Sequence, residues 1–322
     1  MPQPKKIEII IAFAALYLIW GSTYLGIFYA IQSIPPFLMA GFRFVFAGTI
    51  MYAIARLQSA GRPTWISWRS SLVIGACLLL GGNGAVTISE KWVPTGLAAL
   101  LVATVPIYIA LLSWLTNTAP RPSLTVWLGL LGGFVGVGIL VGPALTNSWA
   151  NGAQGHVALG MLILLVGSLV WSAGSLYSRA ARGSTSLFLA AGQQMICGGT
   201  LLFLLGLALG EYRDFHPRNI TPLSIGAFVY LVLIGAIIGY TAYFWLLRKC
   251  DPAKVATYAY VNPIVAVFLG TMFAGEHLNG RMLIAAALII GSVALVITAQ
   301  QLRRRTKAPV LPAAVPEVGC IR

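Results

Sequence analysis

The sequence predicts an all-α membrane protein of ten transmembrane helices, arranged as two inverted five-helix repeats. Three observations predict this. Hydrophobic residues make up 58% of the chain and charged residues 9%, whereas a soluble domain carries roughly 25% charged residues. Ten mainly apolar stretches each approach the about 20 residues needed to cross a hydrocarbon layer roughly 30 Å thick. Two prolines recur mid-way along two of these stretches, in Thr104-Val105-Pro106-Ile107 and in Val261-Asn262-Pro263-Ile264.

In order, the predicted spans are 7–30, 37–57, 72–89, 95–115, 125–141, 157–177, 186–209, 222–247, 254–273 and 281–300. Lys5 and Lys6 ahead of the first resemble the start of a signal peptide. The apolar run from Ile7 exceeds the usual ~7–15 residues and has no small-residue cleavage site, so it is read as an uncleaved helix. The formal charge of +14 would indicate nucleic acid only if it were clustered on one solvent face. It sorts by side instead. With a cytoplasmic N-terminus, sixteen Lys and Arg residues fall inside and four (Lys91, Arg213, Arg218, Arg281) outside, with Arg43 alone within a span. This is the positive-inside asymmetry of an even number of helices with both termini cytoplasmic. The expected location is the cytoplasmic (inner) membrane of a bacterium. Cys77, Cys197, Cys250 and Cys320 show neither disulfide nor metal spacing, so no metal and no cofactor is expected. The bilayer and a small-molecule substrate are the expected partners, nucleic acid is not, and no oligomeric state is legible.

Trp171 follows Trp20 by 151 positions, as Gly192 follows Gly41 and Gly199 follows Gly48; Gly239 follows Gly82 by 157, as Pro263 follows Pro106. Five spans per half is an odd number, so the second half must enter the membrane from the opposite side. The expected division is a first repeat over 1–141, an outer linker over 142–156, a second repeat over 157–302 and a basic cytoplasmic tail over 303–322. Inverted repeats recur in secondary transporters because two similar halves exchange conformations around a central site.

Several motifs carry a family resemblance over about residues 7–300. They are Trp20-Gly21-Ser22-Thr23-Tyr24, Arg43, Tyr260-Val261-Asn262-Pro263-Ile264-Val265-Ala266, and Gly275-Glu276 after the ninth span. Together they resemble the EamA family of the drug/metabolite transporter superfamily. The resemblance implies a ten-helix carrier, commonly an exporter of amino acids and other small metabolites. One departure stands out. Where many members have a second Gly-Glu pair after span four, this chain has Asn117-Thr118-Ala119-Pro120-Arg121.

Arg43 lies about 10 Å below the outer end of its span, counting from Pro36 at ~1.5 Å per residue. A mid-membrane arginine costs about 2.5–3.5 kcal/mol on insertion scales and normally faces a cavity or a partner. One reading is an anion hook, since a guanidinium matches a carboxylate in two-pronged fashion. The other is that its stem snorkels outward or ties down the Pro35-Pro36 loop. Its repeat counterpart is Gln194, beside Gln193. Pro106 and Pro263 should kink their helices near the bilayer centre and free the carbonyls of Val102 and Ala259, either to line a cavity or to fit helix packing. Asn262 adds an amide donor and acceptor there.

Trp20, Tyr24, Trp171, Tyr177, Tyr240, Tyr243, Tyr258 and Tyr260 are candidates for an aromatic wall, or for ordinary packing. Trp65, Trp68, Trp114, Trp149 and Tyr212 read as interfacial anchors. Asn83, Thr87 and Glu90 share one helical face and form either a polar lip of the site or, with Lys91, a water boundary. The substrate-binding set is thus Trp20, Tyr24, Arg43, Asn83, Trp171, Gln194, Tyr240, Tyr260 and Asn262. Gly81-Gly82 and Gly132-Gly133 with Gly136 read as close helix contacts.

All seven acids fall in loops, ends or tails, so facilitated transport or exchange is expected rather than proton-coupled pumping. No catalytic set or nucleotide loop is legible, so an enzyme is not expected. The expected function is transport of small metabolites, amino acids or related carboxylates, by alternating access. An intramembrane enzyme acting on lipid-linked substrates, or a channel, is the alternative.

Overall fold

A computed structural model describes residues 6–58, 60–119, 121–148, 152–181, 186–250, 255 and 257–307. Among the described residues there is no strand, and nine helices are long and apolar enough to cross a membrane. We number the helices α1 (Lys6–Ala30), α2 (Pro36–Leu57), α3 (Trp65–Ser89), α4 (Thr95–Leu115), α5 (Leu124–Ser148), α6 (Gly152–Ala180) and α7 (Leu187–Ala208). Next comes α8, the consecutive segments Pro222–Tyr230, Leu231–Ile238 and Gly239–Lys249; α9 (Tyr258–Phe273) and α10 (Gly280–Lys307) complete the chain. At 16 residues, α9 extends only about 24 Å, less than the other spans. Residues 254 and 256, at its expected start, lie outside the described residues, as do Trp149 and the tail beyond Lys307.

Two sequence expectations change here. Helix reaches into the expected linker, because α5 runs to Ser148 and α6 begins at Gly152. Residues 142–156 carry no Lys, Arg, Asp or Glu, which suits a helix as well as a loop. The two prolines also act differently. Pro106 opens a new helical segment, Val105–Leu115, after a break at Ala103-Thr104, whereas Pro263 sits inside an unbroken helix. At the break, the Thr104 amide and hydroxyl both donate to the Leu101 carbonyl, and Ser172 Oγ of α6 donates to the Val105 carbonyl at 3.2 Å. The Leu101 and Val105 carbonyls are therefore satisfied by protein, as a lipid environment requires. For Pro263 the freed carbonyl is Ala259, in the first turn of α9, where little helix precedes the proline to be deflected.

Small residues decide which helices touch. With only lipid as the competing solvent, close van der Waals packing drives helix association, and glycine permits the closest approach. In α2 against α7, a Cβ at Gly48 would lie 2.9 Å from the Gly192 carbonyl, one at Gly192 would lie 3.0 Å from the Gly48 carbonyl, and one at Gly199 would lie 3.0 Å from the Gly41 carbonyl. Gly41 also abuts Phe203 while Gly192 abuts Tyr52. Contacts thus descend α7 as they ascend α2, so the two helices are antiparallel. The Gly132-Gly133 and Gly136 patch behaves as expected: Gly132 and Gly136 admit Ser292 and Ile289 of α10, and Gly133 admits Ile107 of α4.

Two carboxylates cap buried helix starts. Glu211 accepts from the amides of Phe37 and Leu38 at 3.2 and 2.9 Å, and Glu276 accepts from those of Thr95 and Gly96. Each satisfies orphan N–H groups and meets the positive end of a helix dipole. The Gly275 φ of 66° sets Glu276 in place. After α4, Asn117 holds the corresponding left-handed turn at φ 55°, but no acid follows it. Loss of such a cap costs about 0.5–2 kcal/mol. Glu211→Ala should accordingly lower the thermal unfolding midpoint of the detergent-solubilised protein by several degrees, while Glu211→Gln should recover part of the loss.

Candidate functional site

α3 and α8 each contain a π-helical stretch, Ala76–Asn83 and Leu231–Ile238. Such segments rotate the following side chains relative to a regular helix and are often found at functional sites. Gly82 within the first and Gly239 directly after the second each receive a tryptophan from the opposite half of the chain. A Cβ on Gly82 would meet the Trp171 ring at 2.4 Å, and one on Gly239 would meet Trp20 Nε1 at 2.6 Å. The tryptophans are 151 positions apart and the glycines 157, so the matched pairs found in the sequence touch one another crosswise.

Around Trp20 the structure gathers an aromatic group from three helices. Its ring lies 5.3 Å from Tyr240, 5.2 Å from Tyr243 and 5.0 Å from Tyr258, the last edge-on at 90°, geometries that aromatic quadrupoles favour. Tyr258 in turn is within electrostatic reach of Tyr24. Tyr230 of α8 hydrogen-bonds Ser22 of α1 at 2.5 Å.

Arg43 sits against this group. It is 4% exposed, stacks over the Phe44 ring at 4.7 Å, and lies within reach of Tyr240, Glu90 and Tyr230. Gly235, in the π-helical stretch of α8, leaves room for it: a Cβ there would come within 3.5 Å of Nη2. Nε has no hydrogen-bond partner among the described residues. Burial excludes the snorkelling reading.

Glu90, the residue following α3, corrects the reading of a water boundary. It is 4% exposed, whereas Lys91 beside it is exposed. Neither carboxylate oxygen has a hydrogen-bond partner among the described residues. Its charge is felt by Tyr24 and Arg43, and that of Glu276 by Glu90. Glu90 does lie at a helix end, as the sequence placed it, but that end is buried. A Glu-Lys pair at a span's end looks interfacial in sequence, but Arg43 of α2, Tyr24 of α1 and Glu276 in the loop after α9 all lie within electrostatic reach of the acidic member.

The remaining candidates divide. Asn262 is buried, with no hydrogen-bond partner for Oδ1 among the described residues, and its backbone carbonyl lies against Gly21 of α1. Tyr260 keeps company with Tyr17 and Thr257, which bond each other. Asn83 is half-buried at the end of its π-helical stretch, its carbonyl accepting from Thr87 Oγ1. Gln194 is half-buried; its neighbour Gln193 is the fully buried one, accepting from Ser67 Oγ at 2.6 Å, with no partner for Nε2 among the described residues. Trp171 packs on Gly82, and Tyr177 is exposed. Tyr230 and Ser67 were missed, since a lone Tyr or Ser in a span carries no pattern of its own. A separate open cleft of about 550 Å³, lined by Trp114, Asn117, Thr118, Ala119 and Arg121, contains none of the predicted site residues.

These features define a polytopic helical membrane protein with a buried cluster of opposite charges and aromatic rings. The chain belongs to the EamA-like transporter family, whose model matches it twice, over residues 7–142 and 158–298. It is 36% identical over 312 residues to the inner membrane transporter YedA of Escherichia coli (strain K12), covering 95% of this chain and 96% of that protein. It is 27% identical over 293 residues to Protein PecM of Dickeya dadantii (strain 3937), covering 90% and 92%, and 24% identical over 302 residues to the transporter YvbV of Bacillus subtilis (strain 168), covering 92% and 94%. A crystal structure at 23% identity shares the fold, with a TM-score of 0.61 over 94% of this chain and 100% of the other.

Proposed function

We propose that this protein is a secondary transporter of a bacterial cytoplasmic membrane, moving small carboxylate-bearing metabolites, amino acids among them, by alternating access. Its working parts are two inverted five-helix repeats, 1–141 and 157–302, with both termini cytoplasmic. The antiparallel, reciprocal contacts of α2 with α7, the crosswise Trp20·Gly239 and Trp171·Gly82 contacts, and the double family match support the inversion. Pro106 and Pro263 mark equivalent depths in α4 and α9.

Arg43 supplies the carboxylate contact. Tyr24, Tyr240 and Trp20 form the wall around the cargo, and Asn262 the neutral polar group beyond it. The observation that carries this reading is the burial of Arg43 without a hydrogen-bond partner for Nε, because a buried guanidinium is costly unless an acceptor meets it. Burial of Arg43 and Glu90 together also favours a carrier over a channel, whose continuous water-filled pore would expose them. The location follows the relative named as an inner membrane transporter and the nine long apolar helices.

The test is counterflow in proteoliposomes with a panel of amino acids, other organic acids and cationic drugs. Carboxylates should exchange and cations should not. Asn262→Ala should raise the half-saturating concentration several-fold with little change in maximal rate. Exchange of the cationic drugs with the carboxylates ignored would defeat the proposal.

A further inference from the structure

The proposed cargo site leaves one buried group without a task. Arg43 and Glu90 come from α2 and from the end of α3, lie within electrostatic reach, and make no direct hydrogen bond to each other. Two buried charges of opposite sign balance each other's cost; a third charge would be uncompensated. If Arg43 takes an anion from outside, its protein counter-ion must lose its own charge or leave the site. Glu90 cannot readily leave, since the Ser89 hydroxyl beside it is tied to the Gly160 carbonyl of α6 at 2.9 Å and the helix end carries it into the interior. It can accept a proton.

We propose that Glu90 is a proton-binding site linked to Arg43: ionised, it is the counter-ion of the guanidinium, and protonated, it releases the guanidinium to an anion from solution. The charges balance. Glu90 takes one proton from the aqueous phase, Arg43 keeps its charge, and the incoming carboxylate replaces Glu90 as the counter-ion. Arg43, Glu90, anion and proton together sum to zero, as Arg43 and Glu90 do alone. Carboxylate capture thereby brings a proton with it, in place of the uncoupled exchange expected from the sequence.

The groups facing Glu90 are consistent with this role. Arg43 favours the charged form, while Glu276, carried by the loop after α9, favours the neutral one. Tyr24 of α1 senses Glu90, and Tyr230 and Tyr240 of α8 reach Arg43. Outward of Glu90, Lys91 lies over the Trp92 ring, on which His156 stacks at 5.6 Å. Glu90 lies one residue beyond the span Trp65–Ser89. Its burial first, and Glu276 second, push its carboxyl well above the usual carboxylate range, with Arg43 pulling the other way.

The anion half of this inference rests on the carboxylate reading of Arg43; the proton half does not. Acid–base infrared difference spectroscopy on the full chain in nanodiscs, with no substrate added, tests the latter. A protonated-carboxyl band should titrate above the ordinary carboxylate range and be missing in Glu90→Gln. Its midpoint should rise by about one pH unit or more in Arg43→Gln, the size of shift that one nearby opposite charge produces, and stay near the parent value in Arg43→Lys. A missing band in the parent protein, or an unchanged one in Glu90→Gln, overturns the proposal. Should Arg43→Gln fail to fold, Arg43→Lys and the Glu90→Gln assignment still decide it. Titration of Glu90 without carboxylate transport would sink the cargo reading and leave the proton site standing; Arg43-dependent carboxylate transport with no such titration would do the reverse.

Discussion

Replacing Arg43 by alanine is expected to reduce carboxylate counterflow at sub-saturating concentration by ten- to a hundredfold. Hydrogen bonds to charged groups contribute about 1.5–3 kcal/mol, and each ~1.4 kcal/mol is a factor of ten. The truncation also leaves Glu90 buried without its cation, so a folding defect must be separated from lost recognition. Arg43→Gln combined with Glu90→Gln does this, because it removes both charges and keeps the interior neutral. The double variant should solubilise and melt close to the parent protein while transporting carboxylates as poorly as Arg43→Ala. Arg43→Lys keeps the charge but not the planar fork, and should fall between. Carboxylate counterflow at parental rates in Arg43→Ala would remove the anion hook.

The second large effect concerns the α2 and α7 contact. A Cβ at Gly48 would lie 2.7 Å from Met195 Cβ, 2.8 Å from the Ile196 backbone nitrogen and 2.9 Å from the Gly192 carbonyl oxygen. Two of these three neighbours are backbone, which cannot step aside as a flexible side chain can. Overpacking of a tight contact typically costs about 1–3 kcal/mol and occasionally more. Gly48→Leu should reach the upper end of that range, because the whole of α7 must move. The expected result is a marked loss of monodisperse protein in detergent and a melting midpoint lower by ten degrees or more. Gly226→Leu is the control. No atom lies within 4 Å of a Cβ added there, and leucine is the better helix former, so its melting midpoint should be unchanged or higher. Equal behaviour of the two variants would show that the α2 and α7 approach is not what holds the halves together.

Both predictions concern residues visible in the sequence, and for different reasons. Arg43 was conspicuous because a charge within an apolar stretch has few innocuous explanations. Gly41, Gly48, Gly192 and Gly199 stood out only as pairs at a constant spacing, which suggested equivalence but not that the equivalent residues meet each other. Glu90 was visible too, with two readings, lip of the site or water boundary, of which burial removes the second. Sequence neighbours set the prior for a residue at a span's end, and Lys91 pointed to water. Tyr243, Tyr258 and Trp20 were each candidate wall residues, but their convergence depends on how α1, α8 and α9 cross, which no local pattern encodes.

Composition and periodic apolar length alone pointed to a bilayer protein of many crossings, and the sorting of its basic residues set the orientation to expect. These are transfer properties of single segments between water and lipid, so they add up locally. Only the tertiary structure decided that Glu90 is buried with Arg43, that each half lends a tryptophan to a glycine of the other, and that Pro106 breaks its helix while Pro263 does not. Those outcomes depend on side chains from distant segments competing for the same space and charge, and that competition exists only once the helices pack.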